Sequence, residues 1–535
     1  MNDEPGRGLG LPARVGSNAI GSPLAEVEIP DVALAPFVLE RAQGLGDAPA
    51  LIDGPSGSVL TFAALDDQVR RVAGGLAALG FGKGDTLAIV APNIPEYAVV
   101  FHATTLAGGV VTMVNPACTV DELAYQLRNA RARLLVTVPA AVGRAREAAG
   151  GTSVEAVIVI GEDSFAVLLE AEPLTEQVAV DTRMDLAALP YSSGTTGYPK
   201  GVMLTHRNLV ANILQADASM PLSTDDIVVG VLPFFHIYGM TIIMNLALRA
   251  GTTIVTMPRF DLEGFLENVQ EHRVTRAYVV PPIVLALATH PIVDRYDLSS
   301  LELVVSGAAP LGAQLQIACG ERIGCVVSQG YGMTEASPAS HSPVFPGEIK
   351  PGTVGVPVPN LECRIVDPVT GADVEAGQPG ELFVRGPNIM KGYLDNDGAT
   401  RATIDRDGWL HTGDVATVDG DGCFTIVDRV KELIKYKGFQ VAPAELEALI
   451  LTHPQVTDVA VIPVPDEEAG EVPMAYVVKR GDLSDEDLKA YVRDKVSTYK
   501  QIRIVAFVDE IPKSPSGKIL RRVLKDRAEA TAAAE

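Results

Sequence analysis

Cysteine is scarce in this sequence, and the few thiols follow no pattern. The five cysteines are Cys118, Cys319, Cys325, Cys363 and Cys423, with no CxxC pair and no histidine-rich spacing near them. A disulfide framework or a structural zinc site needs regular spacing of such residues. We therefore expect neither of them in this protein.

A long apolar run and a basic charge are also missing. The apolar stretch 277–288 is interrupted by Pro281 and Pro282, and it is too short for a membrane-spanning helix, which needs roughly 20 residues. The formal net charge is −24, whereas nucleic-acid-binding proteins usually carry a basic patch. These absences predict no membrane span and no nucleic-acid partner. Backbone N–H groups and a few lysines are still sufficient to bind a small anion.

Neither end of the sequence carries a recognisable targeting signal. The first ten residues, MNDEPGRGLG, lack the basic-then-apolar order of a signal peptide, and the last five, TAAAE, are not a peroxisomal signal. We therefore expect a cytoplasmic protein. The sequence leaves open whether the chain forms a homo-oligomer.

Short apolar runs alternate with helical patterns along most of the chain. The run 86–91 is typical of a buried strand, and the stretch 95–106 that follows is compatible with a helix. Further strand-like runs occur at 133–138, 156–160, 227–232, 252–257 and 301–306. This alternation predicts the α/β class with largely parallel sheets.

The composition of the chain changes twice. Residues 1–30 are rich in glycine, proline and small side chains, which predicts a loose N-terminal arm. Residues 31–429 are predicted to form a large α/β domain that includes a small β subdomain, because β-like segments past residue 351 are separated by Gly/Asp turns. A fresh pattern of helices and strands predicts a small mobile α+β domain over 430–535.

The densest glycine- and hydroxyl-rich segment is YSSGTTGYPKG, at 191–201. Its glycines allow turns that expose backbone N–H groups, its Ser and Thr hydroxyls add donors, and Lys200 adds a positive charge. Such a loop suits a polyphosphate. The lysine spacing differs from the GxxxxGK[ST] loop. A flexible Ser/Gly linker is the alternative interpretation.

Two further segments contain groups suited to a nucleotide. In QGYGMTE, at 329–335, the ring of Tyr331 can stack on a purine, Thr334 can donate to a phosphate and Glu335 can bind Mg²⁺. In GWLHTGD, at 408–414, Asp414 can accept hydrogen bonds from both ribose hydroxyls. A simple turn and a structural Asp–Arg ion pair are the respective alternatives.

The last two segments place positive charge in an acidic chain. They are KELIKYKGFQ, at 431–440, and PKSPSGKILRR, at 512–522, in which Gly517 precedes Lys518 on a predicted loop tip. A positive cluster indicates anion binding, although taken alone each segment is more simply explained as a solvated surface.

Taken together, the five segments resemble the motifs of the adenylate-forming acyl-CoA synthetases in their order, spacing and residues. The resemblance is closest to the 4-coumarate:CoA ligases. The similarity extends over roughly residues 35–525, and PFFHIY at 233–238 and SGAAPL at 306–311 add to it. It implies ATP-dependent ligation of a carboxylic acid to coenzyme A, with ATP, Mg²⁺ and coenzyme A as cofactors. An acyl-adenylate and pyrophosphate form first, and the CoA thiolate then displaces AMP.

The resemblance also implies roles for individual residues. Catalytic roles fall on Lys518 as the adenylation lysine and on Lys435, Gln440, Thr334, Glu335 and His236, with Glu335 as the metal ligand. Nucleotide-binding roles fall on Ser192, Ser193, Gly194, Thr195, Thr196, Gly197, Lys200, Gln329, Gly330, Tyr331, Thr334, Asp414, Arg429, Lys431 and Lys435. Contacts with coenzyme A fall on Arg259, Lys437 and Gly438, and acid-pocket positions are Tyr238, Ala308, Gly332, Pro338, Ala339 and Ser340.

The sequence departs from the family pattern at two places, and the resemblance also implies a hinge. Family members usually carry lysine where Arg259 stands and a bulky Val-Leu pair where Ala339 and Ser340 stand. The smaller pair predicts a roomier pocket for a hydroxycinnamate or benzoate-like acid. One small-domain pose cannot serve both half-reactions, so the resemblance implies rotation about a hinge near 429–431.

Several alternatives share the same fold. A medium- or long-chain fatty acyl-CoA synthetase would differ only in the acyl pocket. A peptide-synthesis adenylation domain would need an acidic residue for the substrate amine and a carrier domain, and a luciferase-like oxygenase would need features that the sequence lacks. A non-catalytic nucleotide-binding protein is disfavoured because Lys518, Glu335 and Lys200 are all present.

Overall fold

A computed structural model describes residues 14–15, 19–192, 199–437, 439–466, 468–514 and 517–532. Two large sheets, a β subdomain and a small C-terminal domain make up this part of the chain. The predicted α/β class is confirmed, and the strand-like runs named above all form strands. None of the helices in these ranges has the length and apolarity that crossing a membrane would require.

The first large sheet is parallel except at one edge. Its strand order is Val326–Gln329, Leu303–Ser306, Arg276–Val279, Ile227–Gly230, Thr253–Thr256, Pro49–Asp53 and Val59–Thr61, the last being antiparallel to its neighbour. The strands are rich in Val, Ile and Leu because both faces of a parallel sheet are covered by helices. The carboxyl ends of its central strands therefore meet at one edge, where loops can form a site.

The second large sheet has a parallel centre and an antiparallel side. Its order is Tyr191–Ser192, Lys200–Thr205, Leu186–Ala188, Val110–Met113, Thr86–Val90, Ala132–Thr137 and Ala156–Val159, and the short strand Gly392–Tyr393 also pairs with Lys200–Thr205. This last pairing joins the glycine-rich segment to residues almost 200 positions later in the chain.

Helices cover the faces of both sheets. In the large domain they are Leu34–Val38, Ala42–Leu45, Phe62–Ala78, Pro95–Leu106, Val120–Asn129, Val142–Ala149, Asp163–Leu169, His206–Ser219, Leu246–Ala250, Leu262–His272, Pro281–Thr289, Ala313–Ile323 and Asp397–Thr403. Proline begins the helix Pro95–Leu106, where its missing N–H costs nothing, and this helix is buried almost throughout. Short 3₁₀ turns occur at Pro139–Ala141, Pro291–Arg295 and Thr334–Ala336, and a π-helix occurs at Gly239–Asn245.

The β subdomain is an antiparallel sheet. Its order is Arg14–Val15, Ala19–Gly21, Glu362–Val366, Gly380–Arg385, Leu410–Val418 and Phe424–Arg429, and a smaller sheet of Tyr331–Gly332, Ala339–Ser342 and Val356–Pro357 adjoins it. Residues 19–21 pair with this subdomain, and Ser22 Oγ donates to the carbonyl of Pro357 at 2.6 Å. This portion of the predicted loose arm is thus an ordered strand.

The C-terminal residues build a separate sheet with its own core. The strand order is Phe439–Val441, Ile434–Tyr436, Gly470–Lys479 and Val456–Asp466, and Ile504–Phe507 runs parallel to Gly470–Lys479. The helices Pro443–Ile450, Asp485–Arg493 and Arg521–Ala532 and a 3₁₀ turn at Thr498–Lys500 complete this unit. Its main apolar cluster, which includes Ile434, Leu446, Val461 and Leu488, is distinct from that of the large domain. The boundary after residue 429 stays a prediction.

Candidate active site

A cavity of about 1150 Å³ lies at the carboxyl ends of the large-domain strands. It is lined by residues of the large domain and the β subdomain, together with Ser514 and Lys518 from the small domain. Fifteen predicted site residues line it: Ser192, Lys200, His236, Tyr238, Ala308, Gly330, Tyr331, Gly332, Thr334, Glu335, Pro338, Ala339, Arg429, Lys431 and Lys518. Segments that are far apart in sequence therefore meet at one place.

Lys518 contributes a largely buried ammonium group to this cavity. Burial, followed by the nearby Arg429 guanidinium, lowers the pKa of Lys518 from 10.5 to about 8, whereas the carboxylates of Asp414 and Glu432 oppose the shift. The loop that carries Lys518 packs closely on the large domain, because a Cβ on Gly517 would lie 3.1 Å from Cγ2 of Val280. The ammonium group is thus held where an anionic ligand would compensate its lost hydration.

Tyr331 and Arg429 form one polar cluster around the buried carboxylate of Asp414. The Tyr331 hydroxyl donates to Oδ2 of Asp414 at 2.5 Å, and Arg429 Nε lies 3.3 Å from Oδ1 of the same carboxylate. Burial raises the pKa of Asp414, against the attraction of Arg429. Tyr331 and Arg429 line the cavity, and Asp414 lies immediately behind them. The predicted adenine- and ribose-binding groups are therefore in mutual contact.

Lys200 and Glu335 are joined through a tyrosine that the sequence did not single out. The Tyr393 hydroxyl donates to Oε1 of Glu335 at 2.8 Å, and Nζ of Lys200 lies 4.7 Å from the centre of the Tyr393 ring. Tyr393 belongs to the short strand that pairs with the Lys200 strand. Tyr393 thereby contacts a cation with its ring and a carboxylate with its hydroxyl group.

The surroundings of Glu335 suit a metal that arrives with a nucleotide. In the ranges that the structure describes, no cluster of three or more His, Cys, Asp or Glu side chains is arranged to hold a metal ion. Mg²⁺ is commonly bound by one or two carboxylates together with substrate phosphates. A single carboxylate at the cavity wall, oriented by Tyr393, fits this mode of binding.

His236 and Tyr238 border an aromatic and apolar part of the cavity, which we call the acyl chamber. Its other lining residues include Met220, Phe235, Ile242, Tyr278, Val305, Gly307 and Ala339. Burial, followed by the charge of Lys518, lowers the pKa of His236 from 6.5 to about 4, so its imidazole is neutral at pH 7. The Tyr238 hydroxyl donates to the carbonyl of Val305 at 3.2 Å.

Close backbone packing shapes this chamber. A Cβ on Gly307 would lie 2.7 Å from Cε1 of Tyr238, and one on Gly332 would lie 2.1 Å from the carbonyl oxygen of Pro338. A Cβ on Gly239 would meet the carbonyl oxygen of Pro233 at 2.2 Å, where the π-helix begins. Ala308 adopts a left-handed φ of 67°. A side chain at Gly239 or Gly332 would thus require the neighbouring backbone to move, and one at Gly307 would displace the Tyr238 ring.

Ser340 does not line the chamber, contrary to prediction. It is 1% exposed, and its hydroxyl donates to the carbonyl of Tyr331 at 3.3 Å. Successive residues of a strand point to opposite faces, so Ala339 can line the chamber while Ser340 points away from it. The prediction of a roomier pocket therefore rests on Ala339 alone.

Several other predicted residues lie away from the cavity. Gln329 is buried and bonds both backbone groups of Leu311. Lys435 and Gln440 are exposed residues that face each other on a hairpin of the small domain. Lys437 is exposed and forms an ion pair with Glu468. Arg259 is exposed on the large domain. Ser193, Gly194, Thr195, Thr196, Gly197 and Gly438 lie outside the described residues. The small domain thus presents Lys518 to the cavity but not its hairpin lysines.

The comparisons with known proteins agree with this geometry. Residues 38–394 match the family model described as "AMP-binding enzyme", and residues 445–518 match "AMP-binding enzyme C-terminal domain". The chain is 45% identical over 522 residues to 4-coumarate–CoA ligase 1 of Petroselinum crispum, covering 95% of this chain and 96% of that protein.

Solved structures of similar fold contain related ligands. The anthranilate CoA ligase AuaEII in complex with anthranoyl-AMP superposes with a TM-score of 0.89 at 27% identity, covering 95% of this chain and 99% of the other. ATP-bound MatB from Rhodopseudomonas palustris gives a TM-score of 0.85 at 30% identity, with coverage of 92% and 98%. ATP and anthranoyl-AMP both contain an adenosine phosphate.

Tyr393→Phe tests whether the hydroxyl of this tyrosine orients Glu335. Losing a hydrogen bond to a charged group costs about 1.5–3 kcal/mol when no other donor replaces it. We therefore expect the KM for Mg·ATP to rise about tenfold or more, measured as pyrophosphate release at several Mg²⁺ concentrations. Tyr476→Phe removes a hydrogen bond to Leu524 inside the small domain and should leave this KM unchanged. Equal effects of the two variants would contradict the assigned role.

Proposed function

The chain belongs to the AMP-binding enzyme family as an adenylate-forming acid–CoA ligase, and we propose that its acid substrate is a 4-coumarate-type hydroxycinnamate. The observation that carries this proposal is an aromatic acyl chamber continuous with the ammonium group of Lys518. The carboxylate of an acid would lie near Lys518, and its ring would lie among Tyr238, Val305 and Ala339.

The first half-reaction requires groups that offset negative charge. A carboxylate oxygen of the acid forms a bond to the α-phosphorus of ATP, and the bond from that phosphorus to the β-phosphate oxygen breaks, releasing pyrophosphate. Lys518 supplies a positive charge between two anions, and Thr334 can donate to the α-phosphate. Lys200 and Ser192 line the part of the cavity suited to the β- and γ-phosphates. Glu335 would hold Mg²⁺, which neutralises phosphate charge when bound.

The second half-reaction needs a different set of groups. The thiolate sulfur of coenzyme A forms a bond to the acyl carbon, and the bond from that carbon to the AMP oxygen breaks. Arg429, Asp414 and Tyr331 would retain the nucleotide during both steps. The exposed positions of Lys435, Gln440 and Lys437 support rotation of the small domain between the two steps, because none of them lines the cavity while Lys518 does.

A panel of acids tests the proposed substrate. The purified protein should form thioester from 4-coumarate, ATP and coenzyme A with higher kcat/KM than from saturated medium- or long-chain fatty acids. A preference for the fatty acids would favour the alternative fatty acyl-CoA synthetase. The cytoplasmic location stays a prediction.

Lys518→Ala should separate the two half-reactions. Removing a charge that stabilises the transition state typically lowers the rate by about 10²–10³-fold, so pyrophosphate release should fall by that factor. Thioester formation from supplied acyl-adenylate and coenzyme A should stay near the parent rate. An equal loss of rate in both assays would contradict the assignment of this lysine to the adenylation step.

The lowered pKa of Lys518 predicts a pH dependence. The ammonium form is present below about pH 8 and is lost above it, so kcat/KM for ATP in pyrophosphate release should decline as the pH rises past 8. Lys518→Arg keeps its charge in this range. It should be slower than the parent, and the decline should be absent. A decline of the same midpoint in Lys518→Arg would show that another group is responsible.

Ala339→Val should narrow the acyl chamber. The added methyl groups occupy space beside the ring, and an apolar wall discriminates by about 1–3 kcal/mol per methylene. Consequently kcat/KM should fall more for ring-methoxylated cinnamates than for 4-coumarate. Ser340→Ala is the matched control, since it removes a hydroxyl that does not line the chamber. A uniform change for all acids would argue against Ala339 as a wall residue.

A further inference from the structure

The helix Pro443–Ile450 of the small domain is capped by a residue of the large domain. Its N-cap position is held by Ala442, whose methyl side chain cannot accept a hydrogen bond. The N–H of Ala444 is one of the donors that an α-helix leaves unpaired at this end. Its acceptor is Oδ2 of Asp428, at 2.9 Å. Asp428 therefore fills the role that a Ser, Asp or Asn at the N-cap position usually has.

Asp428 belongs to the β subdomain of the large domain. It lies on the strand Phe424–Arg429, where it is the register partner of Val415, and the next residue, Arg429, is the register partner of Asp414. Oδ1 of Asp428 also accepts the N–H of Arg429, at 2.7 Å. The side chain that caps the small-domain helix is thus adjacent to the Asp–Arg pair that is proposed to bind the ribose.

A positive charge of the small domain acts on the same carboxylate. Asp428 is 6% exposed, and burial raises its pKa, whereas the Arg521 guanidinium and then the N–H of Ala444 oppose this shift. The charge of Glu432 acts in the same direction as burial. Arg521 follows Lys518 by three positions. The carboxylate of Asp428 therefore attracts both the positively polarised N-terminus of a small-domain helix and the segment that carries Lys518.

The two partners of the capping contact belong to units with separate cores. The strand of Asp428 is hydrogen-bonded to Leu410–Val418 in the β subdomain, whereas Leu446 and Ile450 anchor the capped helix in the main apolar cluster of the small domain. A rotation about 429–431 moves the second unit relative to the first. It would separate the carboxylate from the helix end, which then loses this cap.

We propose that Asp428 is a positioning residue for the first half-reaction: it caps the helix Pro443–Ile450 only in the arrangement that places Lys518 in the cavity, and it thereby favours that arrangement. This inference rests on the proposed rotation of the small domain, and it does not depend on which acid is the substrate. Because Arg429 lies next to Asp428 and contacts Asp414, nucleotide binding and the choice of arrangement are linked through one strand.

Asp428→Ala removes both the cap and the buried carboxylate. The loss of such a cap changes an equilibrium by about three- to tenfold, so pyrophosphate release with saturating ATP and acid should fall by about that factor. Thioester formation from supplied acyl-adenylate and coenzyme A should stay at the parent rate or rise. Asp428→Asn keeps the size of the side chain and one acceptor oxygen, and its rate of pyrophosphate release should lie between those of the parent and Asp428→Ala. The acid should be whichever one the parent protein activates best.

Ser484→Ala is the matched control. Ser484 caps another small-domain helix, Asp485–Arg493, by accepting the N–H of Asp487 at 3.1 Å, so this cap lies wholly within one domain. Both alanine variants should lower the unfolding temperature, but only the Asp428 variants should change the ratio of the two half-reaction rates. An unchanged ratio in the Asp428 variants, or the same change in Ser484→Ala, would overturn the inference while the proposed function stands. Half-reactions that Lys518→Ala does not separate would overturn the proposed roles of the two arrangements, and the role of Asp428 with them.

Discussion

The largely buried ammonium group of Lys518 connects the two domains of this protein. Lys518 belongs to the small domain but lies in a cavity built by the large one, where burial lowers its pKa. It is kept there by packing of Gly517 on Val280, while Arg521, which contacts both Glu432 and Glu447 within 3.3 Å, anchors the neighbouring chain inside the small domain. The energy of transferring a charge from water is offset only when anions approach it. An acid and a triphosphate are such anions, so substrate binding and this domain arrangement favour each other.

Local sequence determined much of the architecture. The strand Thr86–Val90 and the helix Pro95–Leu106 follow from an apolar run and an N-terminal proline, and both formed at the predicted positions. The site motifs were identifiable for a related reason. Gly332 cannot bear a side chain without displacing Pro338, which explains why glycine stands there within the segment at 329–335. A single sequence allows the prediction of features that depend on neighbouring residues or on a steric requirement at one position.

Features that depend on distant pairing were not visible. Tyr393 contacts Glu335 only because Gly392–Tyr393 pairs with the strand of Lys200, and nothing near Tyr393 marks it as functional. The ordered strand at 19–21 depends in the same way on the strand Glu362–Val366. Ser340 was misassigned because two adjacent residues were both placed on one face, although strand residues alternate.

The exposed hairpin of the small domain supports the proposed rotation between the two half-reactions. Lys435 and Gln440 lie on the strands Ile434–Tyr436 and Phe439–Val441, whereas Lys518 lies in a separate segment of the same domain. Bringing the hairpin to the cavity would withdraw Lys518, since the sheet and its core move together. Such a rotation would have to break contacts between the domains, which include the packing of Leu433 and Ala442 on Val415. Asp428 accepts the N–H of Ala444 at 2.9 Å across the predicted hinge, and the Gly517 contact is a small apolar one. In the proposed mechanism, adenylation consumes the carboxylate and releases pyrophosphate, so less negative charge remains to hold the ammonium group, and this loss would favour the second arrangement.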